Sequence, residues 1–314
     1  MLSQFHPRQK WATESVHPTN PSYHSSTSYS NAMDVMTYWV GPKPPLIRVL
    51  HRLMHLHSTC PESSHQNYTF QCITQETFLN DKNDTYRAYF VSLPPAFQAD
   101  IVRVDRIHRD GGLWIDSDTL VMSPLNTLQR ILQSNDGFLI SERGRKGTKL
   151  CNGVFASQAG TPLMAAWKNM IDSYIDRQVQ PLHGDLGFRC LSELLYNNQE
   201  LFSNYIIFDG EKTMYPVAWY ESQDIFLSNT TIPTSTIERE FQPLIILLNS
   251  VYRNYNGIYT QNGKECALDF YIQKSLSSII TNDAMNTENS IDDIRTFEFN
   301  RNKLIAMAEQ FIKR

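Results

Sequence analysis

The sequence predicts an α/β fold in which a parallel sheet carries helices on its faces. Two stretches are the basis for that expectation. In the first, residues 35–40 form a short apolar run, and Gly41-Pro42-Lys43-Pro44-Pro45 breaks it. Residues 46–57 then place Leu46, Val49, Leu50, Leu53 and Met54 on one helical face, and residues 68–73 suit a second strand. In the second stretch, Pro94-Pro95 suit the first turn of a helix running to about residue 109, with Phe97, Ile101, Val104 and Ile107 inward. Gly111-Gly112 stop that helix, and Leu113-Trp114-Ile115 follow as a buried strand. Strand–helix–strand order of this kind is how parallel sheets are connected.

The remaining elements continue the alternation. Strands are expected over residues 119–122, 137–141, 154–157, 205–208, 214–219 and 241–248. Helices are expected from Pro124 to residue 133, from Pro162 to residue 175, over residues 186–195 and over residues 264–280. Gly144-Arg145-Lys146-Gly147 reads as an exposed loop. Residues 1–32, rich in Ser, Thr, His, Asn and Pro, bury too little apolar area to offset their ordering entropy and are expected to be a flexible leader. The expected organisation is therefore a leader at 1–32, one domain at 33–280, and a tail at 281–314 that ends in a docking helix.

Composition narrows the function. The chain has 314 residues, of which 41 % are hydrophobic, enough for a substantial core. Its net charge of -4 provides no basic field of the kind a duplex nucleic acid needs, so no nucleic-acid partner is expected. The five cysteines, Cys60, Cys72, Cys151, Cys190 and Cys266, are odd in number and irregularly spaced, which suits free thiols in a reducing compartment and a cytoplasmic protein. Three Asn-x-Thr patterns, at Asn67, Asn83 and Asn229, would matter only in a secreted chain. No secretory signal and no run near the roughly 20 apolar residues of a membrane span is present. Peripheral membrane association through a partner or a surface helix stays open.

The chemistry concentrates where the strand after the double glycine ends in Asp116-Ser117-Asp118. Parallel sheets place ligands at the C-terminal ends of their strands. Strand alternation would turn Asp116 and Asp118 to one side, unless the chain bends there. Two neighbouring carboxylates repel unless a cation lies between them or one is protonated, and oxygen ligands suit Mg²⁺ or Mn²⁺. A divalent ion there would stabilise the charge growing on a leaving diphosphate. Alone, an Asp-x-Asp is equally a pair of turn caps. Its setting at the end of a buried Trp-Ile strand favours the functional reading. Asp100 and Arg103 share a helical face, which by itself suits a local surface ion pair.

The run Ala-Asp-Ile-Val-Arg-Val-Asp-Arg-Ile-His-Arg-Asp-Gly-Gly-Leu-Trp-Ile-Asp-Ser-Asp, residues 99–118, resembles the glycosyltransferases with a DXD sugar-binding region, and especially their capsular-polysaccharide-synthesis-like and family-32-like members. Tyr38-Trp39 with Gly41 and the prolines after it also resembles that group's first strand and loop. The resemblance implies a GT-A fold, one α/β domain with a mixed, mostly parallel sheet. It implies transfer of a sugar from a nucleotide-sugar to a glycan, lipid-linked or protein acceptor, with retention of configuration and a requirement for Mn²⁺ or Mg²⁺. It assigns the metal to Asp118, and the ribose or the metal's water shell to Asp116. It assigns donor hydroxyls to Asp100, sugar or phosphate oxygens to Arg103, and the donor base to Trp39. Tyr38 and Trp39 are otherwise ordinary strand aromatics of a core. Asn152, in Asn152-Gly153-Val154-Phe155-Ala156, is a wall of the donor or acceptor pocket or else a turn residue. His183 or Asp185 would lie near the acceptor.

The chain also departs from the group's pattern. Relatives often complete the metal shell with a late His, where this sequence has Ile246. Asn249 or Ser250 are oxygen-bearing alternatives, and Asn249 is taken as the third ligand. The departure leaves room for an inactive sugar-nucleotide-binding protein on the same fold. A metal-dependent nucleotidyl- or phosphoryl-transferase is a further alternative, with Gly144-Arg145-Lys146-Gly147 as its only phosphate-loop candidate.

Overall fold

The computed structural model describes residues 33–58, 69–122, 125–144, 147–210, 245–247, 268, 272 and 275–277. The expected leader, strand 214–219, tail 281–314, Pro124, Arg145, Lys146, Asn249, Ser250, Cys60 and Cys266 lie outside the described residues.

The first strand, β1 (Asp34–Tyr38), leads through the proline loop to α1 (Pro45–Ser58) and then to β2 (Thr69–Ile73), as the opening pattern predicts. Two short helices follow that the periodicity did not reveal, α2 (Gln75–Leu79) and α3 (Asp84–Ser92). Their signals are local: Thr74 accepts from the Thr77 amide in a capping box, and Asn83 accepts from the Tyr86 amide. Helix α4 (Pro95–Asp110) precedes β3 (Gly112–Ile115), β4 (Thr119–Val121) and α5 (Asn126–Ser134). Next come β5 (Gly137–Gly144) and β6 (Gly147–Ser157), a hairpin several residues longer than the apolar runs suggest. Helices α6 (Pro162–Asp176) and α7 (Phe188–Asn197) precede β7 (Tyr205–Asp209), and β8 (Ile245–Leu247) comes late.

Six strands form one sheet in the order β2-β1-β3-β6-β5-β7. Only β6 runs against the others, pairing antiparallel with β3 on one side and β5 on the other. Alternation along β3 divides the core: Trp114 faces one layer, and Leu113 and Ile115 face the other. On the Trp114 side, Ile101, Val104 and Ile107 of α4 pack with Trp167 of α6 and Leu191 of α7. On the opposite side, Met54 of α1 and Leu128 and Ile131 of α5 pack against Phe138, Val154 and Phe208. The result is the mixed, mostly parallel α/β sheet between two helical layers that the sequence predicts.

The double glycine has a steric cause. Gly111 takes φ 69° and Gly112 takes φ 115°, a region that favours glycine. A Cβ on Gly111 would lie 2.8 Å from the Ala159 amide nitrogen, so the turn joining α4 to β3 packs directly on the loop after β6.

Helix α1 differs from its predicted face in one respect. Val49 is exposed, and Ile47, His51 and His57 are buried instead. The imidazole of His57 bonds Ser275 at 3.0 Å, and the Ser275 hydroxyl donates to the Val121 carbonyl at 2.6 Å. His51 packs edge-on against Phe70 and Trp39, and both its ring nitrogens are buried without a hydrogen-bond partner among the described residues. Burial lowers both imidazoles to about 4, with the Lys43 charge adding to the effect on His51.

Because these folded-state values lie below the ordinary histidine value, the unfolded chain takes up protons first as pH falls. Stability is therefore expected to drop between about pH 6.5 and 4, by of order 2 kcal/mol per histidine, and then to level off for these groups. Thermal denaturation across that range should show the drop, and His51→Phe should reduce it by about half, leaving the His57 contribution.

Candidate active site

The C-terminal ends of β1 and β3 lie side by side, since Met36 pairs with Trp114 in parallel register. At that end the chain leaves β3 at Ile115 and turns through Ser117 and Asp118 before β4. Strand alternation thus does not extend through the acidic pair. What fixes the turn is Ser117, whose buried hydroxyl donates to the Tyr38 carbonyl at 2.7 Å and accepts from Thr37 at 2.9 Å. Asp116 and Asp118 flank this anchored serine, and both are half-buried.

Arg103 is the centre of the site. It projects from α4, is 4 % exposed, and reaches four groups. Its Nη2 lies 3.0 Å from Asp116 Oδ1 and 3.4 Å from Asp100 Oδ1. Its Nη1 donates to the Asn152 carbonyl, and its Nε donates to the Ala99 carbonyl at 3.2 Å. The guanidinium also sits 5.3 Å from the Trp114 ring, whose Nε1 donates to Asp116 Oδ1 at 2.8 Å. Asn152 completes the network by donating from Nδ2 to Asp100 Oδ1 at 2.7 Å.

Glycines permit this closeness. The Asp116 amide donates to the Gly153 carbonyl at 2.7 Å, and a Cβ on Gly153 would lie 2.9 Å from Asp116 Oδ2. Gly187, just before α7, leaves room for the Asn152 amide that any larger residue would strike. Burial raises the Asp100 carboxyl to about 6, against the opposing pull of Arg103. Burial also raises Asp116, with Arg103 and the Trp114 hydrogen bond opposing it.

The structure thus brings together Asp100, Arg103, Asp116 and Asn152, and places Asp118 two residues along the same turn. Asp100 and Arg103 are a buried pair tied to this network, and Asn152 sits in β6, not in a turn. Of the two aromatics, Tyr38 is a core residue whose hydroxyl donates to Gln98 at 2.7 Å. Trp39 is half-buried at the same sheet end as the acidic turn, its Nε1 donating to the Pro42 carbonyl at 3.3 Å. Asp185 caps its own turn, accepting from the Leu182 amide at 2.7 Å and pairing with Arg189 at 3.0 Å. Its carboxylate serves local structure, while His183 is exposed beside Phe188.

Strand β8 bears on the metal question. Leu247 pairs with Thr119, so β8 ends beside the residue that follows Asp118. Ile246 pairs with Leu120 within that strand. No group of three or more His, Cys, Asp or Glu suited to a metal occurs among the described residues. The donor set still fits a hard divalent ion, because Mg²⁺ is commonly held by one or two carboxylates, with water and substrate phosphates supplying the rest.

A family model described as capsular polysaccharide synthesis protein matches residues 57–216, just over half of the chain. The chain belongs to this family. The matched segment runs from the end of α1 past β7 and contains every residue of the Arg103 network. Family membership supports a glycosyltransferase. A search of curated proteins finds no match.

Solved structures similar to the chain include the glycosyltransferase GlyE of Streptococcus pneumoniae TIGR4, at 18 % identity over 80 % of this chain and 62 % of that one, with a TM-score of 0.39. The galactosyltransferase LgtC, solved with donor and acceptor sugar analogs, aligns at 11 % identity over 78 % of this chain and 96 % of its own, with a TM-score of 0.38. Mouse xyloside xylosyltransferase 1 aligns at 10 % identity over 70 % and 98 %, with a TM-score of 0.40. The chain thus spans less than two thirds of the pneumococcal protein. No helix among the described residues is long and apolar enough to cross a membrane.

Sequence reasoning missed Ser117, whose role depends on the neighbouring strand. Removing the guanidinium should expose the design of the network. Arg103→Met leaves the buried Asp100 and the half-buried Asp116 without their shared cation and is expected to cost about 2–4 kcal/mol near pH 8. The loss should shrink toward pH 5, where Asp100 takes up a proton, and chemical denaturation at the two pH values checks this.

Proposed function

We propose that the chain is a glycosyltransferase that moves a sugar from a nucleotide-sugar to an acceptor hydroxyl, with retention of configuration and with Mn²⁺ or Mg²⁺ on the donor diphosphate. The observation that carries this reading is the buried Arg103, which joins Asp116 and Asp100 at the ligand-binding end of the sheet. A buried ion pair adds little stability compared with apolar packing, so its placement at this edge points to binding. Family membership points the same way, and suggests a growing polysaccharide as acceptor, with lipid-linked glycans and proteins as the other classes.

In this reading Asp118 ligates the cation, and Asp116, held by Arg103 and Trp114, lies against its water shell or the ribose. The bound ion would offset negative charge on the diphosphate. Arg103 adds a fixed positive charge directed at the same region, already oriented by the Ala99 and Asn152 carbonyls. Asp100 and Asn152, bonded to each other, present polar groups to donor hydroxyls. Trp39 offers a ring beside the acidic turn for the base. Asn249 is proposed as a further oxygen ligand, two residues beyond the end of β8 at Leu247. The leaving diphosphate can itself accept the acceptor proton, so no separate base is required.

A thermal-shift screen of UDP-, GDP-, dTDP- and ADP-sugars with and without Mn²⁺ tests the proposal. At a concentration about a hundredfold above Kd, the matching donor should stabilise the fold by about 2.7 kcal/mol. Asp118→Ala should lose the metal-dependent part of that gain and reduce turnover by about 10²–10³. Wild-type turnover in this variant would remove Asp118 from the mechanism. Product analysis separates sugar transfer, which releases a nucleoside diphosphate, from nucleotidyl transfer, and donor binding without turnover under all conditions would indicate a binding protein.

A further inference from the structure

The β5–β6 hairpin extends past the strand it packs against. Pairing between β3 and β6 ends at Ile115 with Val154, followed by the Asp116–Gly153 backbone bond. The pairing between β5 and β6 continues to Gly144 with Gly147. The outer part of the hairpin therefore stands beyond the acidic turn, on the same side of the sheet end.

This extension carries an ion pair that the network around Arg103 does not use. Glu142 and Lys149 are cross-strand partners, with Lys149 Nζ 3.5 Å from Glu142 Oε2. Glu142 is 8 % exposed. Lys149 is half-buried, and its ammonium lies 4.1 Å from the centroid of Phe188, the first residue of α7. The residue just before Phe188, Gly187, abuts Asn152, so the pair and the Arg103 network border one another through this helix start. Burial raises the Glu142 carboxyl, Lys149 opposes the rise, and the charge of Asp116 adds to it, consistent with that proximity.

A desolvated carboxylate–ammonium pair contributes little to stability, and an apolar pair of similar volume would pack at least as well. Its chemistry suits a ligand that is both donor and acceptor. The carboxylate accepts from hydroxyls, the ammonium donates to them, and the ring offers an apolar surface to C–H groups. The pair is electrically balanced and flanked by Asp116, which makes it a poor phosphate site and a good site for a neutral polyol.

We propose that Glu142, Lys149 and Phe188 form the subsite that reads the hydroxyls of the sugar being transferred, separate from the groups that hold the nucleoside diphosphate. The inference rests on the nucleotide-sugar reading above and deepens it. Calorimetric titration with Mn²⁺ compares two probes on each protein: the nucleotide-sugar that stabilises the wild type best, and the corresponding free nucleoside diphosphate. Lys149→Met and Glu142→Gln should each weaken nucleotide-sugar binding by about tenfold or more and change nucleoside diphosphate binding by less than about twofold. The doubly neutral Glu142→Gln/Lys149→Met variant nearly keeps the side-chain volumes without leaving a lone buried charge, and should show the same selective loss if either single variant misfolds.

Equal losses for both probes would place the pair at the phosphates and overturn the proposal, as would unchanged binding of both probes in folded variants. A wild type that binds neither probe would instead overturn the nucleotide-sugar reading and this inference with it.

Discussion

One buried guanidinium organises the end of the sheet. Arg103 comes from α4, yet it bonds the carbonyl of Asn152 in β6, the carboxylate of Asp116 after β3 and the carboxylate of Asp100 one helical turn away. A planar cation with several donors can satisfy such divergent partners at once, whereas an ammonium could not reproduce the geometry. Two carboxylates this close would otherwise repel each other or stay protonated, and the elevated Asp100 shows how far burial already works against ionisation. The acids are thus held closely spaced by an arginine that is itself fixed by backbone carbonyls.

The rest of the fold supplies the positions. Trp114 shows how closely the core and the site are joined: its ring packs in the α4–α6–α7 layer while its Nε1 holds Asp116. Gly111 lets the Ala159 backbone approach, and Gly153 and Gly187 leave room for the Asp116 carboxylate and the Asn152 amide. Ser117 ties the acidic turn to β1 through the Tyr38 carbonyl, so the turn's conformation depends on two parallel strands staying in register.

How much of this was legible in the sequence follows from the range of each interaction. The helix–Gly-Gly–strand–acid run could be read because every feature in it is local: apolar spacing in α4, glycines at a sharp turn, and an apolar strand too short to be a helix. The Asp100–Arg103 spacing was visible, but its burial was not, because that depends on Asn152, 52 residues from Asp100. The α2 and α3 helices were missed because they are too short to show a period and are marked mainly by their caps. Strand alternation cannot by itself relate Asp116 to Asp118, because β3 ends at Ile115 and the chain turns at Ser117, held by a partner on another strand. Glu142 and Lys149 escaped notice because strand pairing, not an apolar pattern, defines their part of the hairpin.

The single reversed strand has a broader consequence. In a wholly parallel sheet, every loop at the ligand-binding end joins a strand to a helix, and changing its length shifts the helix that follows. Here β5 and β6 are consecutive antiparallel strands that pair out to Gly144 with Gly147 at that end. Residues could be added or removed in matched pairs at its tip while Gly153 stays opposite Asp116. The fold therefore has one edge of its binding region whose reach can vary without disturbing the rest of the sheet.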